Sequence, residues 1–562
     1  MRSPLSVLVA SFVLVVAFAP VAPGGEPSVP DEATLRAMTA RFAPVDLGAD
    51  LSGLPPSERE ALAKTIKAAR IMSPLYLRQI WAGNEALLSQ LLVDRHSGRG
   101  EARLHSFIIN NGPWSRLDHD APFLPGVPAR PLAANFYPAG ATKDEVAAWF
   151  ESLPEAERTA ATGYFTTIRR APDGALVAVP YSLEYQGELT RAAELLREAA
   201  TATRQPTLRA YLEKRADAFL SNDYFESDMA WMELDASIEP TIGPYEVYDD
   251  GWFGYKAAFE AFIGVRDEKE TQKLARFSGE LQWLEDRLPI RPEWRNPKIG
   301  ALAPLRVIDL VFSSGQGNSD VQTAAFNLPN DARVVAQKGS KRVMLKNTQE
   351  AKFEKALVPI SKVALAPGDQ ADISFDAFFT HILMHELVHG IGPKTITVDG
   401  RETTVREQLK EIRSPLEEAK ADIVGLWAMQ QLVDKGVLDA AFERTMYTTF
   451  LASSFRSIRF GINEAHGRGQ ALQLNDLLDR GGFVVDEDGT FSVDRDRIEE
   501  AVSALSRELL TLQAEGSYEK GQAILERLAV IRPETQRILD RLNDVPVDIE
   551  PRFVTAEELS RR

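Results

Sequence analysis

The sequence has no cysteine in 562 residues, which excludes disulfides, a thiol nucleophile and lipid attachment through cysteine. Histidine is scarce, with seven in the chain, so a deliberate spacing between any two of them stands out. Positive charge is in deficit: 64 Lys and Arg stand against 81 Asp and Glu, for a formal net charge of −17. A protein that grips a phosphate backbone needs a basic face, so nucleic acid is set aside as a partner. After Ala19 no stretch is long and apolar enough to span a bilayer. No internal repeat and no long low-complexity tract is present. The glycine-rich stretch Ser313-Ser314-Gly315-Gln316-Gly317 lacks the Gly-Lys-Ser/Thr ending of a phosphate loop.

What is present starts with an address. Arg2 precedes an uncharged run from Leu5 to Ala19, and residues 20–30 are rich in Pro, Gly and Ala. This is the layout of a secretory signal peptide, with residues 1–24 removed by cleavage after Gly24. An uncleaved amino-terminal anchor is the alternative. The expectation is an exported protein, periplasmic or secreted, with no stable membrane insertion after cleavage. Hydrophobic content of 44% and charged content of 26% are those of a soluble globular protein.

Periodicity makes the chain mainly helical, with strands interspersed, an α+β protein. Helices are expected over 31–42, 56–67, 73–93, 143–164, 183–219 and 268–288, and again over 414–435, 440–457, 469–478 and 495–542. Strands are expected over 175–181 and 305–312, with strand-and-turn character continuing over 324–345. Asp399-Gly400 and Asp488-Gly489 mark hairpin turns within 395–402 and 483–493. The aromatic and acidic stretch 231–265 reads as loop or strand packed on the core. Residues 289–304 are a proline-rich linker.

The chain is organised around His385-Glu386-Leu387-Val388-His389. On a helix, side chains four apart share a face, so His385 and His389 can grip one zinc ion while Glu386 reaches a water at the same metal. Phe375, Phe378, Phe379, Ile382, Leu383, Leu387 and Val388 supply the apolar stripe, and Gly390, Gly392 and Pro393 supply the stop. Such a site needs a third protein ligand. A third histidine at the spacing His-x-x-Gly-x-x-His is excluded because Thr395 holds that position. The remaining candidate is Ser414-Pro415-Leu416-Glu417-Glu418-Ala419-Lys420-Ala421-Asp422. Ser414 as N-cap, Pro415 at the first helical position and Glu417 three after the cap make a capping box, which gives Glu417 a structural role. Glu418 has no such role and shares a face with Asp422. Glu418 can therefore bind the metal while Asp422 accepts the free N–H of a ligand histidine. His381, one turn before His385, reads as a neighbouring polar group.

Together HELVH and EEAKAD resemble the dipeptidyl peptidase III family of zinc exopeptidases, whose helix motif more usually carries an extra residue. The resemblance implies one Zn2+ per chain held by His385, His389 and Glu418, with Glu386 as catalytic base and Glu417 and Asp422 as an outer shell. Weaker likenesses extend it over about 235–490. Ile238 to Tyr248 is similar to the segment whose glutamate, here Glu239, holds the substrate's free amine. Thr241 stands where a tyrosine is expected, leaving Tyr245 or Tyr248 to substitute. NLPND implies Asn327 and Asn330 as binders of amine and peptide backbone. Glu464-Ala465-His466 implies His466 as the histidine that stabilises the transition state, and Gln470 stands where an arginine is expected. The family fold implies two lobes around a wide cleft: a helical zinc-bearing lobe and a mixed lobe with a β-barrel-like core. Mapped on this chain, that gives a mixed lobe over 25–265, a helical segment and linker over 266–303 and a β-rich cleft segment over 304–350. The zinc lobe follows over 351–545, with a carboxy-terminal tail over 546–562.

Three readings of function follow. The first is a zinc peptidase that releases dipeptides from the amino terminus of peptides. The second is a zinc hydrolase on the same scaffold that acts as an endopeptidase or on non-peptide amides. The third is a non-catalytic peptide-binding protein.

Overall fold

The computed structural model describes residues 29–97, 100–299, 304–463 and 465–561. The expected signal segment 1–24 lies outside the described residues. No helix among the described residues is long and apolar enough to cross a membrane.

The first strand, β1 (Phe42–Leu47), is short and stands apart from the central sheet. Phe42 opens it rather than ending the preceding helix, which stops at Thr39. The helices Pro56–Ala69, Gln186–Ala202 and Pro206–Ser221 follow the apolar periodicity, two of them starting on proline in the first turn. The helix expected over 73–93 is broken. It runs Met72–Ile80, turns extended at Trp81, and resumes as Asn84–His96. The 143–164 segment likewise splits, at Pro154.

The sheet that these helices cover has five strands: β2 (Ile238–Glu246), β3 (Ala258–Arg266), β4 (Leu305–Gly315), β5 (Ala325–Leu328) and β6 (Lys341–Leu345). Their order is β2-β3-β4-β6-β5, with β4 and β6 parallel and the other pairs antiparallel. The 231–265 stretch thus supplies the edge strand β2 and most of its neighbour β3. The 324–345 stretch also differs from its strand-and-turn reading. Asp331 caps a helix over Ala332–Lys338 instead of making a simple turn. The expected barrel is not closed. No ladder joins β5 to β2, and the two edges are bridged by the Asn330 side-chain amide donating to the Tyr245 carbonyl at 3.0 Å.

Two large cores result. One joins the first helices to the sheet, with Leu62, Ile66, Leu196 and Phe219 against Phe259, Ile263 and Val311. The other is helical and holds α1 (Phe375–Val388), α2 (Arg413–Asp434), α3 (Ala465–Asp479) and α4 (Ile498–Glu515). The helical segment expected over 268–288 is the helix Glu268–Glu285, which sends Leu274, Phe277, Leu281 and Leu284 into this second core. The long helix expected over 495–542 is three, separated at left-handed Gly516 and before Pro533. Residues 546–562 are no tail. Strand β7 (Asp548–Phe553) pairs in parallel with β1, and a helix, Val554–Arg561, follows.

Helix α1 is buried on most of its circumference, and α2 lies directly on it. Gly425 permits this: a Cβ there would stand 3.2 Å from the backbone nitrogen of His385, a neighbour that cannot swing away. Gly425→Val is expected to push the two helices apart and cost about 1–3 kcal/mol, read as a lowered midpoint in urea unfolding, with weakened metal binding alongside.

Candidate active site

The helix that carries HELVH begins at the N-cap Ser374, whose hydroxyl accepts from the Ala377 N–H, and ends where His389 takes the C-cap position. His385 and His389 therefore stand one turn apart on the face that meets α2. On α2, Glu418, Asp422 and Gly425 follow at helical spacing along one stripe, so the close approach at Gly425 brings both acids to the histidines.

The two Nε2 atoms lie 3.2 Å apart, and Glu418 Oε2 is 3.3 Å from His385 Nε2 and 3.7 Å from His389 Nε2. A tetrahedral ion with bonds of about 2.1 Å sets its ligand atoms about 3.4 Å apart. The outer nitrogens are spoken for. His385 Nδ1 is 2.6 Å from Asp422 Oδ1 and His389 Nδ1 is 2.8 Å from Glu417 Oε1. Each imidazole donates its Nδ1 proton outward, so two Nε2 lone pairs face each other and a buried Glu418 oxygen that has no hydrogen-bond partner. In the neutral tautomers these three donor atoms converge on one point, an arrangement that a cation stabilises and that fits zinc; without the ion a proton on His385 takes its place. Burial opposes charge on His385, yet Asp422, Glu418 and Glu386 together raise its pKa to about 10. A metal that binds here displaces a proton.

The acids behind the histidines are themselves held. Asp422 Oδ2 accepts from Gln470 Nε2 at 2.6 Å and Gln473 Nε2 at 3.2 Å, both from α3. Glu417 accepts from Gln513 Nε2 on α4 at 2.9 Å and pairs with Lys420 Nζ at 2.9 Å. Burial works against ionisation of Glu417 and Asp422, but Lys420 and His389 at the first and the His385 charge at the second lower both pKa values. The capping box expected at Ser414 is absent. A 3-10 turn, Lys410–Ile412, runs into α2, which starts at Arg413 with no side-chain cap, and this frees Glu417 for His389. The capping box forms one element earlier, between Thr404 and Glu407. His381 directs Nε2 to the Asp422 carbonyl at 3.0 Å and stays out of the cluster.

Glu386, partly exposed, is 3.5 Å from the Arg342 guanidinium on β6. His466, with its side chain 62% exposed, places Nδ1 3.4 Å from Glu418 Oε2 and its ring 6.0 Å from that of His385. On the sheet, Asn327 is exposed on edge strand β5, directly opposite Arg342. Three of the sheet residues are engaged within the protein. Glu239 is fully buried, with Oε1 2.5 Å from Lys341 Nζ, so its charge is already neutralised. Asn330 spends its amide on the Tyr245 carbonyl. Tyr245 packs in the core against Arg215, whereas Tyr248 is 75% exposed. Gln470 faces Asp422 and not the cleft. Arg342, Lys420, Gln473 and Gln513 are contributors that the sequence analysis does not single out, and the contact of Gln470 with Asp422 is new as well. Gln470 and Gln473, three apart on an otherwise apolar helix face, were the one local signal.

Asp422→Asn replaces the acceptor that fixes the His385 tautomer. It is expected to weaken zinc binding by about 10–100-fold, measured by competition with a chromophoric chelator.

Comparison with known proteins adds the following. The profile described as Peptidase family M49 matches residues 167–400. A curated protein of Arabidopsis thaliana named Nudix hydrolase 3 is 42% identical over 577 residues, covering 94% of this chain and 74% of that protein. The solved structure of dipeptidyl-peptidase III from Corallococcus sp. strain EGB is 63% identical, covers 95% of this chain and 99% of that one, and superposes with a TM-score of 0.81. The solved DPP III structure from Caldithrix abyssi is 45% identical, covers 93% of this chain and 100% of that one, and has a TM-score of 0.90. The likeness therefore extends well before residue 235, into the helices of the first lobe.

Proposed function

Because this chain belongs to peptidase family M49, the dipeptidyl-peptidase III family, and is a peptidase, we propose that it is a zinc enzyme that releases dipeptides from the amino terminus of peptides. The observation that carries the reading is the convergence of His385 Nε2, His389 Nε2 and Glu418 Oε2, with Glu386 beside them. Bound by these atoms, a zinc ion supplies Lewis-acid chemistry to water and to the scissile carbonyl. Glu386 takes the proton of the attacking water on its carboxylate and passes it to the departing amide nitrogen. The His466 imidazole hydrogen-bonds the oxygen on which negative charge develops. Asp422 and Glu417 keep both ligand imidazoles in one tautomer and orientation. The peptide adds as a strand along β5, where Asn327 presents an exposed amide, and Arg342 across from it steadies the carboxylate of Glu386. Export through segment 1–24 places this chemistry in the periplasm or outside the cell.

An endopeptidase reading has its own support: Glu239 is sealed in a pair with Lys341, and Thr241 beside it on β2 is buried as well. A free-amino dipeptidyl reporter and its amino-blocked twin separate the two. An exopeptidase should cleave the blocked form at least ~100-fold more slowly, since it leaves a site built for an ammonium unpaired. Equal rates would assign the protein to the endopeptidase reading.

A further inference from the structure

A cavity of about 540 Å³ opens beside the metal ligands, with His389 and Glu417 on one side and Lys394, Arg406, Arg413 and Lys420 around it. The hairpin of strands Thr395–Val398 and Arg401–Thr404 runs between the residues that supply Lys394 and Arg406. Glu417 is the one acid in this lining, and its charge is taken up by Lys420 and His389. Lys420 is satisfied in turn by Glu417 and the carbonyls of Val388 and Ile391. The side chains of Lys394, Arg406 and Arg413 form no ion pair with any described residue. Burial, with the Lys420 and Arg342 charges, lowers the Lys394 pKa, and the more distant Glu417 and Glu285 carboxylates only partly offset this. In a chain of net charge −17, three unneutralised cations against a metal ligand are a local reversal of sign.

The geometry points to this cavity as the subsite for a carboxylate on the leaving side of the substrate. The inference rests on the peptidase reading above and deepens it. A substrate's ammonium is repelled by Lys394, Arg406 and Arg413, so the part of a peptide that enters is the one beyond the cleaved bond, carrying its terminal carboxylate or an Asp or Glu side chain. The volume is within the range of small-molecule sites and holds a few residues. Guanidinium groups suit the task because they bind a carboxylate through paired N–H donors.

The test uses the zinc-loaded full chain and four substrates: a neutral tetrapeptide as free acid, its carboxy-terminal amide, the amide with glutamate at the last position, and a dipeptidyl arylamide that carries no carboxylate. The free acid is expected to exceed the neutral amide about tenfold in kcat/KM, through KM. In K394Q/R413Q that ratio should fall to about one, and R413K should restore part of it. Because each variant is read as a ratio of two substrates, a general loss of activity cancels. Rescue by the glutamate-bearing amide assigns the cavity to acidic side chains as well, and lack of rescue assigns it to the terminal carboxylate; both support a carboxylate site. A free-acid to amide ratio within twofold in wild type, or an unchanged ratio in K394Q/R413Q, would overturn it. Failure to cleave the arylamide sinks the dipeptidyl reading instead. Equilibrium binding of the free acid and its amide to the zinc-loaded protein then decides the cavity alone, equal affinities rejecting it.

Discussion

Glu386→Gln is expected to retain wild-type zinc content and to lose at least ~10³-fold in kcat, within the range that positioned acid–base groups supply. Glutamine keeps the volume and the hydrogen-bonding reach of glutamate, but it cannot accept a proton from water and hand it on. The separation of the two effects comes from geometry. The three converging atoms belong to His385, His389 and Glu418; the Glu386 carboxylate is not among them and lies 3.5 Å from Arg342. Turnover of a dipeptidyl reporter at saturation, with elemental analysis of the same preparation, reads both quantities. Activity within tenfold of wild type would remove Glu386 from the role of base; loss of zinc would move it among the ligands.

Glu418→Ala should show the reverse pattern, with the metal lost first and activity lost with it. Glu418 Oε2 lies within 3.7 Å of both Nε2 atoms and has no hydrogen-bond partner, so nothing else in the fold explains its burial. The expected fall in zinc affinity exceeds the ~100-fold that outer partners alone can cost. A second readout follows from linkage. An ion that binds the folded chain raises its stability with free concentration, so the upward shift of the thermal midpoint that zinc gives wild type should shrink or vanish in Glu418→Ala. If the variant kept its zinc and its thermal shift, the third ligand would have to be sought elsewhere, with His466 the nearest alternative.

The parts of this site that the sequence discloses are those that helical spacing alone determines. His385 and His389, or Glu418 and Asp422, sit on common faces whatever the rest of the chain does. Both Asp-Gly hairpins were legible because a turn is a local signal: Asp399 and Gly400 both take positive φ, and at the second turn Gly489 does. Glu417 stands beside His389 as the resemblance implies, but its expected capping role fails because a capping box needs a helix that starts after Ser414. The 3-10 turn before it, held by tertiary packing, moves the start to Arg413. The ion pair of Glu239 was not legible because its partner, Lys341, lies 102 residues away on a strand that is not adjacent to its own. The open sheet in place of a barrel is likewise a matter of which edges meet, something that strand periodicity does not encode. Arg342 joins the sheet to the catalytic helix through a contact that no local pattern announces.

The pairing of β1 with β7 has a consequence for how the chain reaches this state. Phe42 aligns with Asp548 and Leu47 with Phe553, so strands about 500 residues apart in sequence must meet in register. During vectorial synthesis β1 emerges long before its partner exists, and loop closure over such a span comes late in assembly. Meanwhile the fully buried Lys352 awaits Asp548, whose carboxylate is 2.7 Å from its ammonium and also receives the Gln322 N–H. The amino-terminal lobe is thus sealed by residues translated after the metal-binding lobe. A premature stop shortly before residue 548 would leave every catalytic group encoded and the opposite lobe unfinished.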